Sequence, residues 1–340
     1  MLRKIAFGLA ATAMMSSAQA QEVVLKVAHF LPPMSTMHSR FIVPWCDKIE
    51  AESKGRMKCQ IYPAMQLGGT PPQLLSQVRD GVADIVWTIS GYTPGRFPIS
   101  EVFELPFMTT THEASARAVW DFIDEHAASE FEGVKRIANW VVGPYVIHLR
   151  DKDLNTIEDF RGMKIRAPSR LGNRMLTALG ATPVGMPVPQ ISESLSRGVI
   201  DAAIVPWEVV PATKAHELTK FHVEVSGGRS LTTATSIYVM NQKRYDSLPP
   251  ELKKVIDDNS GREVSAWVAA EFKVGDEGGR AAALGRGNKI TEIPADEVKR
   301  WKDASQPVVD EWIAEVTSKG HDGRKLYERA VELVEKYSRN

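Results

Sequence analysis

The sequence predicts an α/β protein of two lobes with a ligand cleft between them. Two sets of strand-like and helix-like runs alternate along the chain, the pattern of strands joined by crossover helices. The length, 340 residues, is more than one core commonly encloses and suits about two domains. A third observation is negative: the familiar catalytic motifs are missing, which leaves binding in a cleft as the natural use of two lobes.

The first segment is not part of the fold. Arg3 and Lys4 precede an apolar stretch over residues 5–15, and "SSAQA" sets Ala18 and Ala20 at signal-peptidase spacing. Residues 1–20 are read as an export signal cleaved after Ala20. The apolar run is shorter than the roughly 20 residues that span a bilayer. No later segment is apolar enough to span either, so the protein is read as exported and not membrane-embedded. The whole chain carries 42 basic and 42 acidic residues. Losing Arg3 and Lys4 leaves 40 against 42, a balance that gives nucleic acid and anionic membranes nothing to grip.

The first set of elements begins with "VVLKVAHF" (23–30), a strand that runs into the loop "LPPMS". Phe41, Ile42, Trp45 and Ile49 recur at helical spacing over 37–54, and Gly55 closes that helix. "MKCQIYP" is a strand ended by Pro63. "TPPQLLSQVRDGVADI" reads as a helix with prolines at its start, where they are tolerated, and "DIVWTI" is again a strand. Cys46 and Cys59 fall on the first helix and the next strand. In an oxidising compartment they suit one disulfide, with two buried thiols as the alternative.

The second set begins near Val141. "YVIHLR" and "MKIRAP" are strands, residues 170–179 are a helix closed by Gly180, and "ATPVGMP" is a short strand. "QISESLSRGVI" is a helix and "DAAIVPWEVV" opens on a strand. "TSIYVMN" is a later strand, and two long helical tracts fill most of 250–340. Parallel sheets are expected throughout.

There is no G-x-S-x-G, no G-x-x-x-x-G-K-[ST], no G-x-G-x-x-G and no H-E-x-x-H, so no cofactor is expected. No two of the eight histidines stand at ligand spacing on a helix. His29 alone draws notice, at a strand end beside Phe30. Within "GMKIRAPSR", Met163 and Ile165 alternate with Lys164 and Arg166, and Pro168 stops the strand because it has no N–H to donate. Arg166 therefore stands at the carboxyl end of a strand, where open α/β sheets bind their ligands.

Several segments carry a specific resemblance. "YPAMQLGG", "LLSQVRDGVADI", "FELPFM", "LNTIEDFRGMKIRAP", "LGATPVGMP" and "SLSRGVIDAA" follow one another in order. Together with "IYVMNQKRYDSLPPELKKVI" and "ITEIPADEVKRWKDASQPVVDEW" they resemble the DctP-like solute-binding proteins of tripartite ATP-independent periplasmic (TRAP) transporters, over nearly the whole mature chain. The resemblance implies a periplasmic-binding-protein-like fold with a long hinge-spanning helix. Lobe I takes 21–143 and 233–272; lobe II takes 144–232 and 273–340. It implies a periplasmic location, a membrane permease as partner, and Arg166 as the clamp on a ligand carboxylate. A guanidinium suits that role because it gives two parallel charge-assisted hydrogen bonds.

Departures from the family pattern bear on the ligand. Where many relatives bring a second arginine this chain has Val146, flanked by Tyr145. Where they have "D-G-Q-E-N-P" it has Ala202 for the glycine, Val205 for the asparagine, and Trp207 after the proline. Phe30, Trp87, Tyr92, Tyr145 and Trp207 remain as an aromatic lining, with Ser90, His29 and Thr235 to bond polar substituents. The expected ligand is a monocarboxylate with an aromatic or apolar body, such as a keto or hydroxy acid. Two other readings stand beside this one: a periplasmic sensor feeding a receptor kinase, and a periplasmic enzyme acting on an aromatic acid.

Overall fold

The computed structural model describes residues 23–339, so the export signal and the cleavage point after Ala20 lie outside the described residues. Among these residues eleven strands form two sheets. The first contains β1 (Val23–Ala28), β2 (Met57–Tyr62), β3 (Ile85–Ile89), β4 (Val134–Val141) and β10 (Thr235–Asn241), in the order β2-β1-β3-β10-β4. The second contains β5 (Val146–Leu149), β6 (Lys164–Ala167), β7 (Thr182–Gly185), β8 (Ala202–Val205), β9 (Phe221–Val225) and β11 (Lys289–Ile293), in the order β11-β9-β5-β8-β6-β7. The chain is an α/β protein of two lobes, one built on each sheet.

Both sheets are mixed where parallel sheets were expected. β10 runs antiparallel to β3 and β4, and β5 runs antiparallel to β8 and β9. The strands that cross from one lobe to the other enter from the opposite end, so they cannot keep the direction of their neighbours. β4 and the helix His112–Phe122, unread in the sequence, complete the first lobe. The helix expected over 37–54 is divided into a wide turn, Met37–Ile42, and a helix, Val43–Glu52. Pro44 near the junction has no N–H for a regular ladder, which accounts for the break. Cys46 and Cys59 are bonded to one another, with 5.8 Å between their Cα atoms, and tie that helix to β2.

From residue 250 onward the described chain holds four helices, Pro250–Asp258, Arg262–Gly285, Ala295–Ser318 and Gly323–Ser338, with β11 between the second and third. The sequence reading places 273–340 with the second lobe. The last helix of that stretch packs on His112–Phe122 of the first as well as on Ala295–Ser318, burying Leu326, Ala330, Leu333 and Val334, and Arg329 pairs with Glu125 at 2.7 Å. Three segments join the lobes: 142–145, 226–234 and the 24-residue helix Arg262–Gly285. That helix packs on His112–Phe122 and β4 on one side and on the turn Trp207–Val209 on the other. Gly279 permits the second contact, because a Cβ there would lie 1.9 Å from the Trp207 carbonyl oxygen.

Candidate ligand-binding site

β6 lies between β7 and β8, with Arg166 opposite Val184 and Ala203. This central position buries Arg166 completely. Its Nε donates to the Met186 carbonyl at 2.9 Å and its Nη1 to the Ile204 carbonyl at 3.1 Å. Nη2 is buried without a hydrogen-bond partner, and no carboxylate among the described residues forms an ion pair with Arg166. A guanidinium keeps its charge in proteins, so this is a buried cation held by two carbonyl dipoles beside the Tyr92 hydroxyl, with no protein carboxylate to balance it among the described residues. Burial raises the hydroxyls of Tyr92 and Tyr145 above the usual phenol range, and the Arg166 charge opposes that rise in both.

A narrow cavity lies beside these residues. Its volume, open mouth included, is about 320 Å³. Phe30, Trp87, Tyr92 and Tyr145 line it, with Leu31, Ile89, Val142, Val188, Val209 and two prolines, Pro168 and Pro206. Phe30 stacks on Trp87 with centroids 4.4 Å apart and meets the edge of Tyr92 at 5.5 Å. The Trp87 indole N–H is held by Ser236 Oγ at 2.6 Å, and the Tyr92 hydroxyl accepts from the Val188 N–H at 2.9 Å. The aromatic faces are thus fixed by bonds at their rims, leaving ring surface toward the space.

The other residues singled out in the sequence are placed differently. Trp207 does not line the cavity. It packs between His148 and His222, centroids 4.9 and 4.8 Å away, and its indole N–H donates to Glu224 Oε1 at 2.8 Å. Pro206 turns the chain at the end of β8, which sends the next side chain to the other side of the sheet. Val205 is wholly buried opposite Val146, and its carbonyl lies 3.2 Å from His148 Nε2. His29 pairs with His38 at 2.9 Å and packs on Trp87 at 6.0 Å; burial first, then His38, drives it down to about 3. Ser90 and Thr235 stand next to each other, away from the cavity lining. Ser90 Oγ donates to Glu104 Oε1 at 3.2 Å and the Thr235 N–H to the same oxygen at 2.9 Å, while Thr235 Oγ1 has no partner.

Two carboxyl groups went unread in the sequence. Glu104 is 1% exposed and its Oε2 is unpartnered; burial raises its pKa against the bonds from Ser169, Thr235 and Ser90. Glu208 lines the cavity itself. Neither announced itself, because an acidic residue near a strand end is usually solvated and burial is a tertiary property.

The two lobes meet around the site. The Arg170 guanidinium forks onto Glu101 and reaches Glu315 at 2.7 Å. Gly91 in the first lobe approaches Ser169 in the second, where an added Cβ would lie 2.6 Å from the serine Cβ. The arrangement can enclose an anion with a flat apolar body.

Known proteins of this shape fit that geometry. A TRAP solute-binding protein from Rhodoferax ferrireducens, solved with copurified benzoate, is 47% identical, with 93% of this chain and 98% of that one covered and a TM-score of 0.92. A marine metagenome TRAP protein described as specific for aromatic acid ligands, solved with 3-hydroxybenzoate, is 45% identical, with coverage of 94% and 99% and a TM-score of 0.92. Among curated relatives, the C4-dicarboxylate-binding periplasmic protein DctP of Rhodobacter capsulatus is 24% identical over 86% of this chain and 87% of its own. The family described as bacterial extracellular solute-binding protein, family 7, matches residues 27–315. By that match the chain belongs to the DctP family, the solute-binding proteins of TRAP transporters.

Proposed function

We propose that this chain captures an aromatic monocarboxylate between its lobes and hands it to a TRAP permease in the membrane. The observation that carries the reading is Arg166, a fully buried cation whose Nη2 amino group has no hydrogen-bond partner and which pairs with no protein carboxylate among the described residues. A ligand carboxylate supplies the missing counter-charge, and the Phe30, Trp87, Tyr92 and Tyr145 rings receive its body. Val146 and Val205 offer no second polar anchor, which disfavours sugar acids and dicarboxylates. The benzoate and 3-hydroxybenzoate of the two similar solved structures support the same class. The chain is a binding protein and not an enzyme. Export by residues 1–20 with cleavage after Ala20, a periplasmic location, and lobes drawn as 21–143 with 233–272 and 144–232 with 273–340 belong to this proposal.

A thermal-shift series over organic acids tests it. Benzoate at 100 times its dissociation constant is expected to stabilise the protein by about 2.7 kcal/mol. Arg166→Ala is expected to lose that shift. A shift from sugar acids or dicarboxylates only, or an unchanged benzoate shift in the variant, overturns the reading.

A further inference from the structure

Glu208 takes no part in holding a carboxylate, yet it faces the same cavity as Trp87 and Tyr145. It sits in the turn Trp207–Val209 and is 5% exposed. Its backbone N–H donates to Asp276 Oδ1 at 2.7 Å, and Asp276 Oδ2 lies 2.8 Å from His112 Nε2. Asp276 thereby fixes the turn and sets a second carboxylate beside Glu208. The Glu208 Oε2 is buried without a hydrogen-bond partner. Burial first, and the Asp276 charge second, push the Glu208 carboxyl up to about 8. Such a group keeps its proton at neutral pH and carries one O–H to donate.

We propose that Glu208 is the specificity-determining residue that hydrogen-bonds a hydroxyl on the ring of the bound acid. The inference rests on the aromatic-acid reading of this cavity and names the subclass, hydroxylated aromatic acids. Arg166 lies near the end of β6 and Glu208 in the turn that follows the adjacent strand β8, and both groups act on the Tyr145 hydroxyl. A ring anchored by its carboxylate at Arg166 and passing Tyr145 reaches Glu208 with its substituted edge. A phenolic hydroxyl accepts from the carboxyl O–H and donates to its other oxygen. An unsubstituted ring leaves Oε2 unpaired in an apolar slot, which is costly.

Calorimetric titration of benzoate, 3-hydroxybenzoate and 4-hydroxybenzoate into the full protein, Glu208→Gln, Glu208→Ala and Glu208→Met tests this. At least one hydroxybenzoate is expected to bind the unaltered protein about tenfold or more tightly than benzoate. Glu208→Ala and Glu208→Met are expected to bring that ratio within about threefold, while Glu208→Gln, which keeps an N–H donor, retains most of it. Equal affinities in the unaltered protein overturn the inference without any variant, as does a ratio that survives in Glu208→Ala or Glu208→Met. If benzoate binds through Arg166 with no hydroxyl preference, only this inference falls. If none of the three acids binds, the aromatic-acid reading falls and takes it along.

Discussion

Arg166, at the end of β6, and Arg170, in the first turn of the following helix, are near neighbours in sequence with opposite surroundings. Arg170 is partly exposed and saturated with carboxylates: it forks onto Glu101 and also binds Glu315, which Arg174 shares at 3.2 Å. Arg166 is wholly buried and, among the described residues, meets two carbonyl oxygens and the Tyr92 hydroxyl but no carboxylate. A guanidinium that has its anions serves as a clasp between lobes. One that lacks them, in a site too dry for water to screen it, is a receptor for an anion that comes and goes. Groups able to titrate take a third course. His29, His148 and Glu208 are buried without a full counter-charge and settle into their neutral forms. Arg166 has no such escape.

Exchanging each arginine for methionine tests the contrast most severely. Arg166→Met is expected to weaken aromatic-acid binding by roughly 3–5 kcal/mol, a loss of a hundredfold or more. Its ligand-free stability is expected to stay within about 1 kcal/mol of the original, because removing an uncompensated charge offsets two lost bonds to carbonyls. Arg170→Met is expected to keep measurable binding and to lose about 1–3 kcal/mol of ligand-free stability, since Glu101 is left buried and unpaired. Denaturant unfolding with and without benzoate reads both effects. The reverse pattern, with Arg170→Met abolishing binding and Arg166→Met unfolding the protein, breaks the comparison.

A smaller effect is expected where the clasp meets its opposite wall. Gly91 lies against Ser169, the residue before Arg170, and an added Cβ would fall 3.3 Å from the serine Cα. Gly91→Ala therefore props the lobes apart while leaving Arg166 in place. Overpacking of this kind costs about 1–3 kcal/mol, here charged mainly to the closed form. Benzoate is expected to dissociate about tenfold faster in stopped-flow measurements, with ligand-free melting unchanged. An unaltered dissociation rate means that the contact between Gly91 and Ser169 plays no part in closure.

Much of this was legible before the fold. Arg166 declared its position through the alternation of Met163 to Arg166 and the stop at Pro168, and the strands of both sheets were mostly read in order. Phe30, Trp87, Tyr92 and Tyr145 do converge on one cavity. Trp207 was misplaced because alternation predicts a side chain's face only while the strand continues, and Pro206 ends β8. β11 was absorbed into a helical tract because "KITEI" is short, only partly buried and lies between two long helices. Glu104 and Glu208 stayed hidden for a different reason. Their chemistry comes from desolvation and from neighbours distant in sequence, such as Thr235 and Asp276, and local pattern carries no record of either.

The least of the expected effects concerns the groups that escape by titrating. Burial, with His38 second, holds His29 down to about 3, and burial, with His216 second, holds His222 down to about 4. His148, 2.7 Å from His222 between their Nδ1 atoms, is lowered as well, by burial first and His222 second. Unfolded histidine titrates near 6.5. Below that pH the unfolded chain binds protons that the folded chain refuses, so this stability is complete above pH 6.5 and drains away as pH falls. Glu208 has the opposite sign: raised to about 8, its contribution is full below the ordinary glutamate range and lost as pH rises through 8. Each buried histidine is expected to lower ligand-free stability by up to about 1.4 kcal/mol from pH 6.5 to 5.5, while Glu208 and the other buried carboxyls, Glu101 and Glu104, oppose that fall, so the net slope is the balance of the two sets. His29→Gln is expected to remove one histidine's share of that slope, read as melting temperature against pH. A slope that His29→Gln leaves unchanged contradicts the neutral-histidine assignment. Arg166→Met is expected to leave the slope untouched, because Arg166 is charged at every pH in the series.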